Sequence, residues 1–412
     1  MGRTLGLGLI TGAADDDPSA IGTYASAGAR FGLGLLWMAP VLMPMMYVVV
    51  YLSAKLGQVS GRGLFHVIRD YYPRWLLWSV LVGVMIGNTI EAAADLGGMA
   101  AGLNLFVPIP IPWLAAGLAA VIFALQVFGS YTLIRNLFRW LALALLAYIG
   151  AGFLAKPDPA EVLRATLIPQ IQFTAEFLSI VVAMIGTALS AYIYTWQSNQ
   201  EVEEEIAEGR TRLSQRIGAT GAELRHSRRD VLSGMIFSSL IMYFIILSTG
   251  TTLYPAGEHD IETAAQAAEA LSPLLGGGAG ALFATGMIGV GFLAVPVMTT
   301  GAAYDLAQAF GWPSSLHATA REAPKFYVAI GLVTCVAVVL NFMGFNPMKA
   351  LVWAGIVQGF STPPLLLLML LMTNSRRIMG EHVNGRGLNV LGGLTTFAIF
   401  LASAGLVVTW FM

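Results

Sequence analysis

Long apolar runs, separated by short polar segments, make up most of the chain. The clearest runs contain no charged residue and cover residues 31–54, 231–257, 326–348, 350–375 and 387–412. Each of them reaches the roughly 20 residues that an α-helix needs to cross a bilayer. None has the period-2 alternation of apolar and polar residues that membrane β-strands show. The pattern therefore predicts an all-α protein that lies in a lipid bilayer.

Gly, Pro and charged residues divide this pattern into eleven predicted membrane spans. They cover residues 4–29, 32–54, 75–104, 111–130, 136–155, 173–200, 230–252, 277–310, 324–344, 348–373 and 388–411. With a cytoplasmic amino terminus, all 22 basic residues except Arg30, Lys156, Arg164 and Lys349 fall on the cytoplasmic side. Basic residues concentrate in cytoplasmic loops. We therefore expect the amino terminus inside and the carboxyl terminus outside.

Three polar segments between the spans have predictions of their own. Residues 56–73 are expected to contain a short helix, because two glycines precede an apolar stretch. Residues 200–230, with four glutamates followed by six arginines, are expected to extend the sixth span into the cytoplasm. Residues 261–271 are too short to span and are expected to lie on the membrane surface.

Composition narrows the classes of function. Charged residues make up 11% of the chain and the net charge is -1, so no basic surface indicates nucleic-acid binding. The single cysteine, Cys335, excludes an internal disulfide and a cysteine cluster for zinc or iron–sulfur. No P-loop lysine, catalytic triad or metal-hydrolase spacing is present. We expect a protein that is not an enzyme, has no cofactor and has no obligate protein partner.

The first span contains three consecutive carboxylates, Asp15, Asp16 and Asp17, followed by Pro18. Ionisable groups deep in a span are costly and mark functional sites. A proline in this setting lacks an N–H group and clashes with the preceding turn, so the helix is expected to break near residues 15–19. The alternative is that Asp15 and Asp16 only cap the second half-helix or face a vestibule.

The sixth span is the second predicted break, because residues 186–190 interrupt its apolar run. A polar stripe follows at Tyr192, Thr195, Gln197 and Ser198. Two broken helices in corresponding positions are typical of carriers built from inverted repeats, where freed carbonyls and half-helix ends bind ions. The alternative for Gly186 is close helix packing. In the third span, Glu91 and Asp95 are spaced to share one helical face, as a polar path or a water-facing stripe.

These residues resemble the Nramp (natural resistance-associated macrophage protein) family of divalent metal transporters, which has the LeuT-type fold. Residues 17–20 stand where the family has Asp-Pro-Gly-Asn, and residues 27–32, 102–106 and 184–187 resemble further family segments. The resemblance implies an inverted five-plus-five helix repeat plus an eleventh helix. It implies one transporter domain over residues 1–412, with repeats in 1–155 and 173–373 and an extra helix at 388–411.

Departures from the family pattern bear on the substrate. The family's Asn is Ala20 here, and its Met-Pro-His falls on residues 190–192. Because a thioether selects soft transition metals, Ser190 removes that selection. The family's coordinating Gln aligns with Gly355, and Gln358 lies one turn further along. Tyr192 and Gln197 occupy the family's histidine positions, and of the two acids of span three only Asp95 is at a family position. With these departures, the sequence resembles the divergent Nramp-related carriers, some of which are associated with hydrated magnesium.

The resemblance implies a metal site at the two breaks. Asp17 would supply the main carboxylate and Thr187 a backbone carbonyl, with weaker or water-mediated contacts from Ser19, Ser190 and Gln358. The accessory acidic or polar path would comprise Asp15, Asp16, Glu91, Asp95, Tyr192 and Gln197.

The predicted function is secondary transport of a divalent metal cation by alternating access, with the metal as substrate. A hard ion such as Mg²⁺ is the first expectation and Mn²⁺ the second. The alternative is a cation-coupled carrier of a small organic solute such as an amino acid, in which Asp17 binds an amine or sodium. A receptor or channel fits less well, because paired broken helices belong to moving carriers. The expected location is a prokaryotic inner membrane.

Overall fold

The computed structural model describes residues 7–128 and 145–409 of the chain. In its first half the helices are α1 (Leu7–Asp15), α2 (Pro18–Phe31), α3 (Met38–Ser60), α4 (Leu64–Tyr71), α5 (Arg74–Asn104), α6 (Ile111–Phe128), α7 (Leu146–Leu154) and α8 (Pro159–Leu167). In its second half they are α9 (Ala175–Ala188), α10 (Ala191–Ala207), α11 (Leu213–Arg216), α12 (Gly221–Thr252), α13 (Ala264–Glu269), α14 (Ser272–Leu275), α15 (Ala279–Phe310), α16 (Pro324–Asn341), α17 (Pro347–Asn374), α18 (Arg376–Met379) and α19 (Arg386–Thr409).

The predicted spans correspond closely to these helices. Within the described residues, nine helical stretches are long and apolar enough to cross a membrane. The first predicted span is divided into α1 and α2, and neither half is long enough to count alone. The fifth, at 136–155, lies partly outside the described residues, and α7 is its described end. The two ranges described contain no β-strand, which agrees with the all-α prediction.

The segments between the spans match the sequence predictions in some places and differ from them in others. The short helix predicted within 56–73 is α4, and α10 continues the sixth predicted span beyond residue 200 to Ala207. Helix α12, which contains the seventh predicted span at 230–252, begins earlier, at Gly221. Thr220 and Glu223 form a reciprocal capping box there, so the arginine-rich turns are helical. In the 261–271 segment, α13 packs a buried alanine face against α15.

The packing places the two predicted breaks at the centre of the bundle. Helices α1 and α2 pack against α12, α9 packs against α17, and α5 lies against α15 and α17. Glycines allow two of these approaches: a Cβ at Gly12 would collide with the backbone of Gly234, and one at Gly186 would collide with the carbonyl of Gly355. Close backbone contact of this kind is typical of helix pairs in membranes.

Candidate functional site

The first span is broken between α1 and α2, where the sequence predicted it. Helix α1 ends at Asp15, and α2 begins at Pro18 with Asp17 as its N-cap in extended conformation. The Asp17 carboxylate accepts a hydrogen bond from the Ala20 N–H at 2.7 Å. Proline suits the first helical position because its missing N–H is not needed there. The cap fixes the Asp17 side chain at the positive end of a half-helix.

The sixth span is broken between α9 and α10. Helix α9 ends at Ala188 and α10 begins at Ala191, with Ser190 as the N-cap residue. The Ser190 hydroxyl lies 3.0 Å from the Gly186 carbonyl and 3.1 Å from the Thr187 carbonyl. The break therefore gathers a hydroxyl and two carbonyl oxygens in a fully buried position.

The two breaks meet at Ser19. Its hydroxyl lies 2.7 Å from Asp17 Oδ1 and 3.1 Å from the Thr187 hydroxyl. All three side chains are fully buried. The structure thus brings together one carboxylate and two hydroxyls from helices that are more than 160 residues apart in sequence.

Glu91 of α5 lies in the middle of the site, although the sequence indicated only an accessory role. Its Oε1 accepts hydrogen bonds from Ser190 at 2.7 Å and Ser19 at 3.2 Å. Its Oε2 accepts one from the Gln358 amide at 2.6 Å, and that amide also donates to Asn88 at 3.1 Å. Glu91 consequently connects α2, the second break and α17.

Asp95 and Tyr192 complete the inner contacts. Asp95 Oδ1 accepts from the Ser19 backbone N–H at 2.9 Å, whereas its Oδ2 has no hydrogen-bond partner among the described residues. The Tyr192 hydroxyl lies 2.7 Å from the Ala14 carbonyl and 2.9 Å from Asp17 Oδ2. Tyr192 therefore holds the end of α1 against Asp17, across the first break.

Three of the predicted path residues do not join this group. Gln197 lies further along α10, where it accepts from Thr11 at 2.6 Å and donates to Glu201 at 2.8 Å. Asp15 and Asp16 contact the hydroxyl of Ser238 on α12, at 2.9 and 3.0 Å. Ser238 was not predicted from the sequence, where its only signal is a pair of serines inside an apolar run.

The site is rich in buried acidic side chains. The carboxylates Asp15, Asp16, Asp17, Glu91 and Asp95 have no exposed surface, and within the described ranges none pairs with a basic side chain. Nor do any three His, Cys, Asp or Glu side chains of those ranges converge closely enough to hold a metal by themselves. Hydroxyl, amide and carbonyl oxygens are the other groups that the site offers a cation. Buried carboxylates are tolerated when they pair with a cation or become protonated.

A family model described as "Natural resistance-associated macrophage protein-like" matches residues 8–409. The chain belongs to the Nramp family. Because this is a family of transporters, the expectation that the protein is not an enzyme is confirmed.

Two curated Nramp relatives show how far the chain has diverged. It is 27% identical over 396 residues to "Divalent metal cation transporter MntH" of Deinococcus radiodurans, covering 94% of this chain and 85% of the relative. It is 26% identical to the protein of that name from Bacillus subtilis, covering 99% and 92%. The similarity extends over almost the full length of both proteins.

Solved structures support the fold. The Eremococcus coleocola manganese transporter, crystallised with an aromatic bis-isothiourea compound, has a TM-score of 0.71 at 18% identity, covering 96% of this chain and 84% of that one. Mhp1, a nucleobase-cation-symport-1 family transporter, has a TM-score of 0.56 at 11% identity, covering 98% and 91%. The predicted LeuT-type architecture is confirmed.

The packing at Gly355 leaves no room for the side chain that the resemblance to the family leads one to expect there. At this position, where the resemblance places the family's coordinating Gln, a Cβ would lie 2.7 Å from the Ala183 carbonyl of α9. Real Cβ atoms do not approach backbone so closely, and the position has no room for a side chain. Gln358, one turn along α17, is fully buried and its amide oxygen lies 3.5 Å from the Ala191 N–H. The amide thus reaches the second break from a different position.

Proposed function

We propose that the protein is a secondary transporter that carries a divalent metal cation through the site formed by Asp17, Ser19, Thr187, Ser190 and Gln358. The observation that carries the proposal is the meeting of the two helix breaks at Ser19, between Asp17 and Thr187. The names of the MntH relatives support the same substrate class. The buried negative charge supports a cation over a neutral or anionic solute.

The preferred ion is a hard divalent cation, first Mg²⁺ and then Mn²⁺. The oxygen ligands around Ser19 are carboxylates and hydroxyls, with the Gln358 amide nitrogen hydrogen-bonded to Glu91, and Ser190 stands where the family has methionine. Oxygen ligands suit Mg²⁺, which binds through one or two carboxylates and keeps several waters. The small side chains at Ser19, Ala20 and Ser190 are the basis for expecting the cation to retain part of its water shell.

The remaining predictions complete the proposal. Transport proceeds by alternating access within one domain of residues 1–412, whose repeats occupy 1–155 and 173–373, followed by the extra helix at 388–411. The amino terminus is cytoplasmic and the carboxyl terminus is outside, in a prokaryotic inner membrane. The distribution of basic residues supports this orientation.

The test is uptake of Mg²⁺ and Mn²⁺ into proteoliposomes, combined with titration calorimetry of the purified protein. Asp17→Asn is expected to abolish metal binding at this site and reduce uptake to background, because it removes the charge at the first break. Glu161→Gln, an exposed carboxylate on α8, is the matched control and should leave uptake unchanged. Wild-type protein that binds no divalent metal, but takes up sodium when an amino acid is added, would refute metal transport and favour the organic-solute carrier.

A further inference from the structure

Asp15 and Asp16 face a different part of the protein from Asp17. Both are bonded to the Ser238 hydroxyl of α12. Asp17 instead contacts Ser19, Ala20 and Tyr192, none of which contacts the other two carboxylates. Three consecutive acids are thus divided between two locations. A cation bound among the partners of Asp17 would leave the charges of Asp15 and Asp16 uncompensated.

The cluster around Ser238 has oxygen atoms that lack partners. Among the described residues, Asp15 Oδ1 and Asp16 Oδ2 have no hydrogen-bond partner, and neither residue has exposed surface. The Tyr24 hydroxyl is also fully buried without a hydrogen-bond partner among the described residues, and its strongest electrostatic interactions are with Asp15 and Asp16, followed by Asp17 and Glu91. Buried polar atoms are nearly always paired, so unpaired ones call for a missing ligand. Here all the unpaired atoms are oxygens.

The charge and chemistry of this cluster define the ligand. Two adjacent carboxylates balance the charge of one divalent cation, and no basic side chain of the described residues competes with it. Carboxylate, phenol and serine oxygens are hard donors, and water can complete the coordination of Mg²⁺ or Mn²⁺. A single monovalent cation would leave one buried charge without compensation.

We propose that Asp15, Asp16, Ser238 and Tyr24 form a second binding site for a hard divalent cation, on the α12 side of the first break. The inference rests on the proposed function, because it assumes that divalent cations enter the protein. Two neighbouring cation sites repel each other's occupants, which assists release of an ion that would otherwise bind too tightly.

The experiment measures how many Mn²⁺ ions bind per chain, by equilibrium dialysis of the full-length protein in nanodiscs of uncharged lipid. Wild type is expected to bind two. Ser238→Ala should weaken one of them by about tenfold or more, the usual effect of losing a group that orients metal ligands. Ser239→Ala is the matched control, since that buried serine donates to the Ala39 carbonyl and not to a carboxylate. Asp17→Asn should lose transport and retain one bound Mn²⁺.

Further outcomes separate this inference from the proposed function. One bound Mn²⁺ in wild type, lost in Asp17→Asn and unaffected by Ser238→Ala, overturns the second site and leaves the proposed function standing. No bound Mn²⁺ in wild type overturns both. Tyr24→Phe removes only a hydroxyl and is the second variant if Ser238→Ala does not fold; unchanged affinity for two ions there would overturn the inference. Electron paramagnetic resonance should show magnetic coupling between paired Mn²⁺ ions in wild type and none in Asp17→Asn.

Discussion

Two groups of buried acids differ sharply in their surroundings. The break carboxylates are Asp15, Asp16, Asp17, Glu91 and Asp95. The second group, Glu201, Glu203 and Glu205, lies near the end of α10. Glu201 accepts from Gln58 at 2.7 Å and Glu203 accepts from Tyr304 at 2.7 Å, while Glu205 forms an ion pair with Arg210 at 3.5 Å.

The comparison shows that burial alone does not identify a binding site. The acids of α10 have 5 to 7% of their surface exposed, only slightly more than the break carboxylates. Their donors, however, come from neighbouring helices and loops, so they connect α10 to its surroundings. Asp15, Asp16 and Asp95 each keep one unpaired oxygen, as Glu205 does, but none of the five break carboxylates has a basic partner in the described ranges, whereas Glu205 pairs with Arg210. Unbalanced charge, and not depth, is the feature that indicates a cation site.

The largest expected effect is on transport, from changing Glu91 to Gln. The variant loses one of the charges that face the cation while keeping the size of the side chain, so uptake of Mg²⁺ should fall at least tenfold. The matched change Glu201→Gln should leave uptake within about twofold of wild type. Both are measured in proteoliposomes at saturating ion. Equal losses in the two variants would contradict the distinction between the two groups.

The next largest effect is on stability. Substituting an acid of α10 should lower stability more than substituting a break carboxylate. Glu203→Gln weakens charge-assisted hydrogen bonds from Tyr304 and Ser315, with an expected cost of roughly 1–3 kcal/mol. Asp95→Asn removes a buried charge with an unpaired oxygen, so its stability should equal or exceed that of wild type. Thermal unfolding in detergent without divalent metal compares the two. A less stable Asp95→Asn protein would show that Asp95 has a structural role.

A smaller effect concerns selectivity at the second break. Ser190→Met places a thioether beside Glu91 and should raise preference for Cd²⁺ over Mg²⁺ several-fold, because sulfur favours soft ions. Ser190→Leu, of similar size without sulfur, is the control. Competition of Cd²⁺ with Mg²⁺ uptake provides the readout. If Cd²⁺ competes equally well in both variants, the change in selectivity reflects the size of the side chain. The hypothesis that hard oxygen ligands set the selectivity of the site would then be wrong.

The smallest expected effect is on the pH dependence of stability. It arises in the region near the acids of α10, where basic residues are abundant. Partial burial of His66 on α4, with Arg62, Arg69 and Arg216 nearby, lowers its pKa to about 4. The unfolded chain, with a His pKa of roughly 6.5, binds more protons between these values. Wild type should therefore lose stability as pH falls through that window. His66→Asn should lose less; a larger loss would mean that Asp70, 3.8 Å away, stabilises protonated His66.

The sequence was a good guide to features that depend on local chemistry. Three carboxylates before Pro18 cannot continue a regular helix, so the first break was predictable, and the cap by Asp17 follows from it. The apolar runs likewise predicted the spans within several residues. The start of α12 was missed because charged turns were interpreted as loop, although helices extend beyond the membrane surface.

Features that depend on helix rotation and depth could not be predicted from one sequence. Glu91 and Ser238 face the breaks only because α5 and α12 are turned that way. Gln197 was assigned to the path by its sequence neighbourhood, but seven residues of helix beyond Ser190 correspond to about 10 Å. It therefore lies beside Thr11 and Glu201 instead.

The crowding at Gly355 has a consequence for protein engineering. Any side chain at this position needs more space between α9 and α17 than the present contact leaves. A single substitution of Gly355 by Gln should therefore fail, because the Ala183 carbonyl blocks it. A Gln side chain could be introduced here only together with changes that move α9 and α17 apart.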